Sequence, residues 1–151
     1  MTGHFIHVTW MHLVLNITGL IIIWLLFKDI LTQRTWWLLI AGSIIVIDIG
    51  LLAFHPDIKW YVGLSGILHG LFAGGAILYL RLFGIRGGLY LFLLIAKLMW
   101  EQLSGPLPGT TELSGARVIT EAHLYGAIGG STIMLWLIVT SKNQPKTSTF
   151  S

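Results

Sequence analysis

The stretch VGLSGILHGLFAGG, Val62 to Gly75, sets one serine, one histidine and five glycines into an otherwise apolar run. Whether that run is a soluble core element or a membrane helix is decided by what surrounds it. The chain has 151 residues, of which 55% are hydrophobic and only 10% charged, whereas a soluble domain carries about 25% charged residues. The fold class is therefore all-α: a polytopic bundle of transmembrane helices.

Around Val62–Gly75, about five apolar runs approach or exceed the roughly 20 residues that a spanning helix needs. They are Phe5–Phe27, Trp36–Phe54, Tyr61–Phe83, Gly87–Trp100 and Val118–Val139. Residues 1–140 read as one membrane domain and 141–151, SKNQPKTSTFS, as a polar cytoplasmic tail. The first run has no basic segment before it and no small-residue cleavage site after it, so it does not read as a signal peptide. There is no cysteine, which excludes disulfide and thiol chemistry.

The formal charge is +3, but position matters more than the sum. With alternating spans, Lys28, Arg34, Arg81, Arg86, Lys142 and Lys146 fall on one side, and Lys59 and Arg117 on the other. The positive-inside rule then puts the C-terminus in the cytoplasm. The expected partner is the lipid bilayer, not nucleic acid. Tryptophans such as Trp10, Trp36, Trp60 and Trp100 sit near span ends as interface anchors.

Ionisable groups inside spans are costly and mark functional sites by default. Counted from the loops, His12 and Asn16 in the first span, Ser65 in the third and His123 in the fifth lie at a similar shallow depth below the outer surface. His12 and Asn16 share a helix face. Gly66, Gly70 and Gly74 form a small-residue stripe on the third span, and Gly126 and Gly130 another on the fifth. Such stripes let helix backbones approach closely, as a serine on one helix must do to meet a histidine on another.

These residues fall into patterns. GLSG (Gly63–Gly66) resembles the GxSG motif of rhomboid intramembrane proteases, HFIHVTWMHLVLN (His4–Asn16) their HxxxxHxxxN segment, and AHLYGAIGG (Ala122–Gly130) their AHxxG motif. The resemblance implies that Ser65 is the nucleophile and His123 its general base. It also implies an oxyanion hole built from His12, Asn16 and the Ser65 N–H, with Gly63, Gly66, His69 and Gly126 in support. SGILHG and KLMWEQ (Lys97–Gln102) are most similar to rhombosortases, bacterial enzymes that process C-terminal Gly-Gly sorting tails. That implies membrane-anchored substrates with glycine-rich tails, a bacterial inner membrane location and a site toward the outer face. Rhomboids of the basic type have six spans, so the first rhomboid helix is expected to be missing.

Several residues stay open. On a continuous last helix Glu121 points about 160° away from His123, so a Ser-His dyad is expected. His69 is either a rival base or an orienting group. Lys97 and Glu101 are spaced for an i,i+4 ion pair, read either as a structural clamp or as a site for a substrate's tail or headgroup. Asp48 either pairs with Lys97 or stays protonated. His4 and His7 belong at the outer interface. No zinc spacing such as HExxH occurs, so neither metal nor cofactor is expected. The alternatives to a protease are an inactive rhomboid-like protein that binds membrane helices and a small proton-coupled transporter subunit.

Overall fold

The computed structural model describes residues 3–142, and every regular element among them is helical. A 3-10 turn, Gly3–Phe5, precedes α1 (Trp10–Phe27), α2 (Gln33–Phe54), α3 (Ser65–Phe83), α4 (Ile85–Ser104), α5 (Thr110–Ser114) and α6 (Thr120–Lys142). Of the expected polar tail, Ser141 and Lys142 continue α6, while 143–151, Lys146 included, lie outside the described residues.

Local chemistry moves three helix starts away from the hydropathy boundaries. The Thr9 hydroxyl accepts the His12 N–H at 3.0 Å, an N-cap that starts α1 at Trp10 instead of Phe5. Thr32 does the same for Thr35 at 3.2 Å, which brings α2 forward to Gln33. Tyr61–Gly63 is non-helical, because Gly63 has φ of +115° and its N–H bonds to the Gly3 carbonyl at 3.0 Å. The third span thus begins at the serine itself.

Four helices, α1, α2, α3 and α6, are long and apolar enough to cross a membrane. The fourth of the five expected spans, α4, is as long at 20 residues but carries Arg86, Lys97 and Glu101. Contacts give the directions. His12 lies by Gly63 and Phe27 by Gly75, so α1 and α3 run the same way. Gly66 lies by Gly126 and Gly70 by Gly130, so α3 and α6 also run the same way. Gly50 against Tyr125 and Gly42 against Ile133 set α2 antiparallel to them, and α4 turns back beside α3 with Gly87 on the Leu80 backbone.

Between helices in lipid, association rests on close packing more than on hydrophobic transfer. The α3–α6 seam is the extreme case: a Cβ on Gly126 would overlap the Gly66 carbonyl oxygen, and one on Gly130 the Gly70 oxygen. Gly74, the third member of the stripe, faces Leu39 of α2 instead. Away from the serine, Phe27 meets Phe72, Tyr79 and Tyr90 edge-on, with ring centroids 5.7, 6.4 and 6.0 Å away.

Candidate active site

Ser65 is the first residue of α3, and no side chain caps that end. The first N–H groups of a helix lack intrahelical partners, so free backbone donors and the positive end of the helix dipole gather around the serine. His123 occupies the first turn of α6. Because the two helices are parallel and their backbones touch, the first-turn side chains meet: Ser65 Oγ lies 2.9 Å from His123 Nε2.

The expectation that no carboxylate reaches His123 fails. Glu101 Oε2 stands 2.9 Å from His123 Nδ1, so the pair is extended to a line of three. The acid comes from the last turn of α4, which returns antiparallel to α6 and ends at the depth where α6 begins. Angles along α6 alone could exclude Glu121 but could not reveal a partner on another helix. Glu101 is 3% exposed, and its other oxygen lies 2.6 Å from Lys97 Nζ, as an ion pair off the angle of an aligned hydrogen bond.

Asp48 does not pair with Lys97. Its Oδ1 lies 3.0 Å from His4 Nε2, and His4, expected at the outer interface, is 1% exposed. The His4 ring sits edge-on to Tyr61 at 5.1 Å, and the Tyr61 hydroxyl donates to the Gly63 carbonyl at 3.1 Å. Tyr61 lies before α3, outside the spanning helices, and burial pushes its phenol up to about 12. This chain of contacts braces the Gly63 turn from behind. No sequence motif announces it, since the partners are 44 and 57 positions apart from His4 by number.

A cavity of about 220 Å³ brings the remaining candidates to the same place: His12, Asn16, Ser65, His69 and His123 all line it, with Arg117 also on its wall. Asn16 Nδ2 donates to the His12 carbonyl at 3.0 Å, which engages only one of its two amide N–H bonds. A Cβ at Gly63 would come 2.7 Å from His12 Cε1, so the ring lies where only glycine leaves room. His69 Nδ1 donates to the Ser65 carbonyl at 2.7 Å, and its ring stacks on His123 at 4.1 Å and 13°. His7 meets His12 edge-on at 5.0 Å. A second cavity of about 330 Å³ lies between α1, α3 and α4 and shares Leu68, His69 and Lys97 with the first.

Donor atoms of His69, Glu101 and His123 fall within 4.8 Å of one another, close enough to consider a cation. The two rings are nearly parallel, so their edges do not converge on one point, and Lys97 already stands at Glu101. His123 uses both nitrogens toward Ser65 and Glu101. The donors suit a hydrogen-bonded line better than a metal centre.

Apolar helices long enough to span, with a part-buried serine–histidine contact at their shared end, define a multi-pass membrane protein. A family model, the rhomboid domain, matches residues 1–140, and the chain belongs to the rhomboid family, whose members are generally intramembrane serine proteases. No curated protein and no solved structure matches the chain.

Proposed function

We propose that this chain is an intramembrane serine endopeptidase of the rhombosortase type. The observation that carries the reading is the 2.9 Å contact between Ser65 Oγ and His123 Nε2, within the distance a nucleophile and its base require. In this mechanism Ser65 attacks a peptide carbonyl while His123 Nε2 takes the hydroxyl proton, then returns it to the departing amine. The acyl-enzyme is released by water that His123 deprotonates in turn. The tetrahedral oxygen is held by the Ser65 N–H at the start of α3, by His12 and by the free Asn16 amide N–H.

Substrates in this reading are membrane-anchored proteins with glycine-rich C-terminal tails. Glycines suit a cleft that must admit extended, helix-broken backbone. The enzyme would sit in a bacterial inner membrane with its C-terminus cytoplasmic. Lys28, Arg34, Arg81 and Arg86 at one end of the bundle outnumber Lys59 and Arg117, which line one cavity at the other end, and this excess supports the orientation. The site then opens toward the outer side.

The test is covalent labelling of purified protein with a fluorophosphonate. Labelling at Ser65 that disappears in Ser65→Ala is expected; a folded preparation that takes up no label would sink the proposal.

A further inference from the structure

We infer that Glu101 and Lys97 of α4 are positioning residues that set the proton arrangement of His123, so that the working unit is a line of four, buried at His123 and Glu101 and half-buried at its two ends: Ser65, His123, Glu101 and Lys97. This rests on the reading of Ser65 and His123 as nucleophile and base and adds to it what makes His123 a competent base.

An ionised carboxylate only accepts hydrogen bonds. With Glu101 Oε2 at 2.9 Å, His123 Nδ1 must therefore carry the ring proton, which leaves the Nε2 lone pair facing the Ser65 hydroxyl at 2.9 Å. The opposite tautomer would present an N–H to Ser65 and could not take its proton. Glu101 thus chooses the tautomer as well as the ring's direction, and the His69 ring stacked at 4.1 Å closes off one face.

Glu101 can do this only while it is charged, and a lone carboxylate buried to 2% side-chain exposure is costly enough to take up a proton instead. Protonated, it would donate to Nδ1 and drive the ring proton to Nε2, the useless arrangement. Lys97, 2.6 Å from Oε1, is the group that removes that cost. Lys97 and Glu101 together carry no net charge, so the resting site is neutral. When the Ser65 O–H bond breaks, the proton joins Nε2 and the oxygen bonds to the substrate carbonyl. The imidazolium then forms against Glu101, the nearer of the two charges. Both carboxylate oxygens are occupied in this arrangement, one by each partner, which a clamp between Lys97 and Glu101 alone would not require.

The test uses the full chain in detergent, fluorophosphonate labelling and a thermal unfolding midpoint. Glu101→Gln is expected to keep its midpoint and probe affinity while its limiting labelling rate falls by about 10²–10⁴-fold, the range for loss of an effective base. Glu101→Asp, which keeps the charge, should recover at least roughly tenfold of that loss. Lys97→Met should slow labelling as well. Because Lys97 acts through Glu101, the double variant Lys97→Met/Glu101→Gln should be no slower than Glu101→Gln. A wild-type labelling rate in Glu101→Gln, or single losses that multiply in the double variant, would overturn the inference. So would variants whose only defect is a lowered midpoint. If Glu101→Gln does not fold, Lys97→Met decides, since it retains the carboxylate: slowed labelling at an unchanged midpoint supports the inference, and wild-type labelling refutes it. Absence of Ser65 labelling in the wild-type protein is the separate failure, that of the protease reading itself.

Discussion

The two sides of the site are built differently. On one side α3 and α6 meet backbone to backbone: nine residues of α3 are buried, among them Gly66, Gly70 and Gly74, and no side chain stands between Gly66 and Gly126. On the other side α1 buries only Asn16, Ile23 and Phe27, α4 only Gly87, Leu94, Leu98 and Glu101, and a cavity of about 330 Å³ separates them. The first side holds the serine and histidine, whose separation must be fixed to a few tenths of an ångström. The second holds His12, Asn16, Lys97 and Glu101, all on the wall of the cavity that also reaches Ser65. On the proposed mechanism the tight side is the one that covalent chemistry needs, and the looser side is the one that admits a substrate.

The largest effect is expected at the α3–α6 seam. Gly126→Leu would drive a side chain into the Gly66 carbonyl, and we expect no folded, labelled protein by size exclusion and fluorophosphonate gel. Gly88→Ala on the looser side, where a Cβ meets nothing nearer than 3.8 Å, should leave both unchanged; equal damage from the two would show that the sides do not differ. Next in size is the division of labour between stacked histidines. His123→Ala should lose about 10²–10⁴-fold in labelling rate, whereas His69→Ala should retain most of it, because His69 Nδ1 is committed to the Ser65 carbonyl. Full activity in His123→Ala would reverse the assignment.

The smallest effect concerns the brace behind the serine. The Tyr61 phenol, pushed up to about 12 by burial, is neutral in the fold well above the ordinary value near 10. The unfolded chain loses the proton first, so this group contributes stability below about pH 10 that is lost as pH rises toward 12. Thermal midpoints should therefore fall more steeply with pH between those values in the wild-type protein than in Tyr61→Phe. Parallel curves for the two would remove Tyr61 from the brace.

The helices were legible in the sequence from apolar runs of spanning length; the approach of Ser65 to His123 was legible from the resemblance of GLSG and AHLYG to rhomboid motifs, supported by glycine stripes whose spacing matches on two parallel helices. The boundaries were less so, since Thr9, Thr32 and Gly63 act through single hydrogen bonds and one backbone angle that hydropathy does not register. Glu101 was visible as half of an ion pair, but its contact with His123 joins the end of one helix to the start of another across 22 positions. Only the direction and depth of α4 reveal it. His4 and Asp48 escaped for the same reason, with the added disguise that a histidine near a membrane surface needs no special role.

Gly87 of α4 rests directly on the α3 backbone at Leu80, which makes a fulcrum at the end of the helix remote from Ser65. The fourteen residues from there to Glu101 form a lever of about 21 Å at 1.5 Å per residue. A tilt of about 5° swings its tip by roughly 2 Å, more than a hydrogen bond tolerates. Leu94 and Leu98, packed against Ala73 of α3 and Ala127 of α6, hold the lever against that swing. On the proposed mechanism, a segment wedged between α1 and α4 would have to break this packing before it could part Glu101 from His123 and leave Ser65 and His123 in contact.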